Sequence, residues 1–151
     1  FAAGTGVLVF IDLVAKMILQ YLDAPFTESE ELLHDDFKLV FYASFQNKDD
    51  SIALPLLQGL QNLVKERGCE DQFQLVTRFS DDQAPRWDKE FLKQQLTKHT
   101  SSTKDDNGST NQSIQKVWVC GPPLLEEVFD KALFDLAPQF NLDFKTQVDL
   151  L

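Results

Sequence analysis

The sequence contains few of the residues that bind metals or form disulfide bonds. Its 151 residues include two cysteines and two histidines. Cys69 and Cys120 lie far apart, and neither belongs to a CxxC or Cys/His group with the spacing of a metal site. We therefore expect no metal. Two isolated cysteines favour a reducing compartment, cytoplasmic or facing the cytoplasm.

Long apolar runs and an excess of positive charge are also missing. No continuous run of about 18 apolar residues is present, so no membrane span is expected. The formal net charge is -10, which repels a phosphate backbone, and nucleic acid is not an expected partner. The acidic surface suits a basic redox partner, although acidic surfaces are also common in proteins that have none.

The length of the chain fits one domain over residues 1–151. The sequence starts with Phe1, Ala2 and Ala3, which are apolar and run directly into a glycine turn, and there is no initiator methionine. This start is typical of the last residues of a strand whose beginning is missing. We expect the chain to be a fragment of a longer protein.

Apolar strands alternate with amphipathic helices along the chain. Nearly continuous β-rich apolar segments predict buried strands, and apolar residues at helical spacing predict the helices between them. This alternation implies right-handed crossovers, and the predicted fold is α/β: a doubly wound, Rossmann-like parallel sheet of five strands with helices on both faces. The predicted strands cover residues 1–3, 37–44, 73–79, 117–120 and, at an edge, 144–150, and the helices cover residues 7–22, 52–67, 88–98 and 122 or 123 to about 137.

Helix ends and polar connections complete this prediction. Gly68 is placed to end one helix, and Asp88 to cap the start of the next. Residues 23–36 are rich in acidic side chains and predict a solvated connection. Residues 100–113 contain no apolar side chain, so we expect a mobile surface loop there.

Ligands of a doubly wound sheet bind at the carboxyl ends of the strands, where the first turn is Gly4-Thr5-Gly6. Glycine allows the backbone to approach a ligand closely, and the start of a helix favours an anion such as a pyrophosphate. The turn does not complete the GxGxxG pattern, because Val9 stands where the third glycine belongs. By itself it is therefore also compatible with a purely structural turn.

The second turn is Cys120-Gly121-Pro122-Pro123, which follows an apolar strand. Gly121 permits a tight turn, and a proline in the first helical position costs no hydrogen bond. Cys120 then lies at the carboxyl end of its strand and faces the predicted crevice. The alternative is that Cys120 is a small buried apolar residue.

The two turns in this order resemble the NAD(P)H-binding domain of the ferredoxin–NADP reductase superfamily. Residues 41–52 (FYASFQNKDDSI) are similar to a strand and turn of its cytochrome b5 reductase and ferric reductase branches, and residues 82–87 (DQAPRW) to the segment after their third strand. The resemblance covers nearly the whole chain, and its most specific element is CGPP at a strand end.

This resemblance implies one half of a flavin-dependent oxidoreductase. The glycine turn would lie against the pyrophosphate of NADH or NADPH, and Cys120 would act as the catalytic residue that orients the nicotinamide. FAD would accept the hydride in an upstream flavin-binding domain that is not part of this sequence, so the isolated chain is not expected to be active. The sequence does not indicate which electron acceptor the flavin would reduce. The implied cofactor-binding residues are Gly4, Thr5, Gly6, Val7, Ser44, Phe45, Gln46, Arg78, Cys120, Gly121, Pro122 and Pro123.

Nucleotide choice is expected to depend on residues 45–51. A 2′-phosphate attracts basic residues, whereas a free ribose hydroxyl tolerates carboxylates and amides. One lysine, Lys48, stands beside Asp49 and Asp50, which favours NADH. Arg78, at the end of the third strand, is a basic residue that suits a 2′-phosphate, so NADPH stays an alternative ligand.

The sequence also departs from the family pattern. Leu8 and Val9 stand where the family usually has Thr-Pro or Pro, and the chain ends in Leu150-Leu151 without the usual aromatic residue. No flavin-binding barrel is present. Two alternatives therefore stay open: a non-catalytic interaction or assembly module descended from such a reductase, and an unrelated doubly wound domain with a coincidental CGPP.

Overall fold

The computed structural model describes residues 1–23, 33–34, 36–82, 86–100 and 114–151. The chain forms two compact units, Phe1–Ala84 and Pro85–Leu151. Both contain helices and parallel strands, so the fold is mixed α/β, with one sheet of three strands and one of two. The predicted connection at 23–36 lies mostly, and the predicted loop at 100–113 almost wholly, outside the described residues.

The first unit contains the strands β1 (Ala2–Ala3), β2 (Leu39–Phe45) and β3 (Phe73–Phe79); a 3₁₀ helix (Gly4–Phe10) continues into α1 (Ile11–Tyr21), and α2 (Leu54–Glu66) and a 3₁₀ turn (Ser80–Asp82) complete the unit. The strands form one sheet in the order β1-β2-β3, and all its pairs are parallel. Ala3 lies opposite Ser44, which in turn lies opposite Arg78, so the carboxyl ends of the strands meet at one edge.

The helical segment Gly4–Tyr21 covers the sheet with one apolar face. Phe10 packs edge-on against Phe41 of β2, with ring centroids 5.4 Å apart, and Val14 and Met17 are buried. By length and composition alone, this segment of 18 residues could also cross a membrane. A core helix of a soluble protein meets the same criterion, so the expected absence of a membrane span stays a prediction.

The second unit contains α3 (Lys89–Thr100), β4 (Val117–Val119), α4 (Pro123–Leu136), a 3₁₀ helix (Ala137–Phe140), α5 (Phe144–Gln147) and β5 (Val148–Leu150). The buried face of α4 carries Phe129, Leu133 and Leu136. The ring centroids of Phe129 and Trp87 are 6.4 Å apart. Strands β4 and β5 are parallel, with Val117 opposite Val148.

Most predicted elements are confirmed, and the end of the chain is the clearest error. A strand was predicted over 144–150, but Phe144–Gln147 is a helical turn and only Val148–Leu150 is a strand. The reason is Asp143, whose carboxylate accepts the Lys145 N–H at 3.0 Å and whose carbonyl accepts the Gln147 N–H at 2.8 Å. These bonds close a helical turn within an alternating pattern that favours a strand.

Both predicted helix caps are confirmed. Gly68 has a φ of 70°, its N–H donates to Lys65 at 3.1 Å, and the Cys69 N–H donates to Val64 at 2.8 Å. This is the Schellman pattern of a helix end. Asp88 accepts the Phe91 N–H at 2.9 Å through its side chain, as a helix-starting residue does.

Replacing Asp88 by alanine is expected to lower the free energy of unfolding by about 1 kcal/mol, because the Phe91 N–H loses its acceptor. Asp88→Asn keeps an acceptor oxygen and should lose only a few tenths of that amount. Urea unfolding followed by circular dichroism measures both. Equal losses of unfolding free energy in the two variants would show that the hydrogen bond from the Phe91 N–H does not cause the loss in Asp88→Ala.

Candidate functional site

The glycine turn at the end of β1 leaves space beside the backbone. Gly4 has a φ of +55°, which L side chains rarely adopt, and apart from its chain neighbours and the backbone of its own helix no heavy atom lies within 4 Å of the place that a Cβ would take. Gly6 and Val7 are buried in the 3₁₀ helix that follows, whereas Thr5 is exposed. Of the four cofactor residues predicted here, Gly4 and Thr5 are therefore accessible at this space, whereas Gly6 and Val7 lie in the core.

A groove of about 520 Å³ lies at the carboxyl ends of β1 and β2. This volume is within the range of small-molecule sites, roughly 300–1,000 Å³. The structure here brings together two separate parts of the sequence prediction, the glycine turn and the end of β2, because β1 and β2 are neighbouring parallel strands. The groove is lined by Gly4, Thr5, Phe45, Gln46, Asp49, Asp50, Ser51 and Ile52.

The outer wall of the groove is a turn fixed by hydrogen bonds. The Asn47 amide donates to the Asp50 carboxylate at 2.8 Å and accepts the Asp50 N–H at 2.9 Å. Ser51 donates its N–H to the Lys48 carbonyl at 3.2 Å, and Ala53 has a φ of 61°. The chain therefore turns tightly before α2, which starts at Leu54 and not at residue 52 as predicted.

Ser44 and Arg78 lie outside the set of residues that line the groove. The Arg78 guanidinium donates to the Ser44 hydroxyl at 3.1 Å and to the Ser80 hydroxyl at 3.4 Å. Ser44 is buried, with 7% of its surface exposed. Arg78 thus bridges the ends of β2 and β3, and its role toward a nucleotide stays a prediction. Sequence reasoning placed Ser51 only within the segment 45–51 that was expected to affect nucleotide choice, and it gave no binding role to Ile52, whose signal is its position at the end of the segment 41–52.

The second predicted turn belongs to the second unit. Cys120 follows β4 and is buried, with 7% of its surface exposed. Gly121 donates its N–H to the Glu126 carboxylate at 3.3 Å, and Pro123 is the first residue of α4. Burial, and then the negative charge of Glu126, raise the pKa of the Cys120 thiol above its usual value. A buried thiol beside a carboxylate is in surroundings that disfavour the reactive thiolate form.

The described residues contain no group of three or more histidine, cysteine or carboxylate side chains that could hold a metal ion. Comparison of the chain with protein-family models and with curated proteins gives no match.

Proposed function

We propose that this chain binds a nicotinamide dinucleotide, as the NAD(P)H-binding domain of a flavin-dependent oxidoreductase. The observation that carries the proposal is the groove beside Gly4 and Thr5. It lies at the carboxyl ends of parallel strands, where ligands of doubly wound sheets bind. The proposal includes the finer fold prediction, a single doubly wound sheet to which all five parallel strands belong.

The groove fits the pyrophosphate and adenosine half of the ligand. Gly4 leaves room for a phosphate near the start of the helical segment Gly4–Tyr21, whose first N–H groups lack helical partners. Asp49 and Asp50 place carboxylates along the groove. These can accept hydrogen bonds from ribose hydroxyls and repel a 2′-phosphate, so we propose NADH as the ligand and NADPH as the weaker one.

The nicotinamide half is assigned by resemblance to Cys120, Gly121 and Pro122. The neutral thiol of Cys120 would orient the ring and keep water away, without forming a bond to it. FAD, held by an upstream domain, supplies the hydride acceptor when it is bound. We place this chemistry in a reducing compartment that is in or faces the cytoplasm.

A second candidate function is a non-catalytic interaction module. Leu8 and Val9 replace the residues that the resemblance implies near the nicotinamide, and they are 45% and 54% exposed. Two neighbouring exposed apolar side chains suit contact with another protein better than contact with a polar ligand. The two candidates differ in one measurable property, which is nucleotide binding.

The proposal predicts saturable binding of NADH to the isolated chain, with a dissociation constant roughly fivefold lower than that of NADPH. The factor follows from the repulsion between a 2′-phosphate and carboxylates at a solvated edge, about 1 kcal/mol. Isothermal titration calorimetry, extended into the millimolar range, measures both constants.

A charge variant tests the cause of this preference. Asp49→Asn should reduce the difference in affinity between NADH and NADPH, whereas Glu70→Gln should leave it unchanged, because Glu70 is exposed and precedes the start of β3, at the end of the sheet opposite to the groove. If neither nucleotide binds to a chain shown to be folded, the reductase proposal is wrong and the interaction module takes its place.

A further inference from the structure

Glu126 lies in the first turn of α4 and contacts the Cys120 turn. Its carboxylate accepts the Gly121 N–H at 3.3 Å, and its own N–H donates to the Pro122 carbonyl at 3.3 Å. The side chain is half-buried. This acid therefore folds back over the turn that precedes its helix, and its negative charge reaches Cys120.

The position of this carboxylate changes which ligands the turn can accept. The start of a helix ordinarily attracts anions, through unpaired N–H groups and the positive end of the helix dipole. Here the protein supplies its own anion, which already occupies the Gly121 N–H. The carboxylate repels a second anion at this turn and attracts a cation, and it has little electrostatic effect on a neutral group.

We propose that Glu126 is a specificity-determining residue, which makes the Cys120–Pro122 turn favour the oxidised nicotinamide ring over the reduced ring. The inference rests on the proposed function, which assigns the nicotinamide to this turn. The two rings have nearly the same shape, but the oxidised ring carries a positive charge and the reduced ring is neutral. A nearby carboxylate therefore distinguishes them by charge.

The test compares NAD⁺ and NADH binding in the intact chain and in Glu126→Gln. The amide keeps an acceptor for the Gly121 N–H but removes the charge. For charges about 7 Å apart at a partly solvated site, the ratio of the NADH to the NAD⁺ dissociation constant should fall roughly fivefold. Glu127→Gln is the matched control, because Glu127 is the next residue of the same helix and is exposed; its ratio should stay that of the unsubstituted chain.

A second readout needs no nucleotide. Removal of the Glu126 charge should also increase the thiolate fraction of Cys120, and thus its alkylation rate by iodoacetamide at a fixed pH, while Glu127→Gln leaves the rate unchanged. Cys69→Ser serves as the background for this assay, so that Cys120 is the single thiol.

The outcomes separate the inference from the proposed function. If both nucleotides bind but Glu126→Gln leaves their ratio unchanged, the inference is overturned and the proposed function stands. An equal effect of Glu127→Gln, or an unchanged alkylation rate in Glu126→Gln, also overturns it. If neither nucleotide binds to the unsubstituted chain, the proposed function fails and the inference fails with it.

Discussion

Truncation of Phe129 to alanine is expected to lower the free energy of unfolding by about 3–5 kcal/mol, the range for removing a buried phenylalanine. Phe129 is 0% exposed, and the centroid of its ring lies 6.4 Å from that of Trp87. The helix α4 cannot move inward to fill the space, since Leu133 and Leu136 hold the same face in the core. The loss is therefore apolar burial plus a cavity.

Phe134→Ala is the matched control for this prediction. Phe134 lies on the same helix and is 65% exposed, with an edge-on contact to Phe144. Its truncation should change stability by roughly 0.5 kcal/mol. Urea unfolding followed by tryptophan fluorescence is suitable, because Trp87 and Trp118 both lie in the second unit. Similar losses in the two variants would mean that α4 does not bury the face described above.

Elements with a strong local signal could be predicted from the sequence. β2 is almost continuously apolar, and it is buried along nearly its whole length. Gly68 and Asp88 end and begin helices as expected, because the conformations and hydrogen bonds of these caps depend on one or two residues. For the same reason Gly4 could be recognised as a turn residue.

Features that run against the local sequence pattern, or that leave no signal in it, could not be predicted. The helical turn Phe144–Gln147 depends on Asp143 accepting N–H groups, against a sequence pattern that favours a strand. The start of α2 is shifted by the left-handed conformation of Ala53, an uncommon one for a residue with a Cβ. The bond between Glu126 and Gly121 joins residues whose separation gives no periodic signal.

The groove, too, contains some residues that could be predicted from the sequence and others that could not. Gly4 was named from the rule that ligands bind at strand ends, and Phe45 was named because the resemblance implies it. Ser51 and Ile52 line it because the turn after β2 bends back over the strand end. That bend depends on the paired hydrogen bonds of Asn47 and Asp50, which composition alone does not reveal.

Thr5→Trp is expected to weaken NADH binding at least about tenfold, the equivalent of about 1.4 kcal/mol. Thr5 is exposed and lines the groove, so an indole ring at this position takes the volume that the proposed function assigns to the nucleotide. A bulky residue at Gly6 is a poorer test, because Gly6 is buried and the same bulk there would disturb the core. Isothermal titration calorimetry measures the change.

Leu19→Trp gives this experiment its matched control. Leu19 is 43% exposed, lies in α1, which continues the helical segment that contains Thr5, and is not among the residues that line the groove. Both variants should unfold within roughly 0.5 kcal/mol of the unsubstituted chain, because each replaces an exposed side chain. Unchanged affinity in Thr5→Trp would place the nucleotide elsewhere. An equal loss in Leu19→Trp would show that an added indole on this segment lowers affinity without filling the groove, and the loss in Thr5→Trp would then no longer support the groove as the binding site.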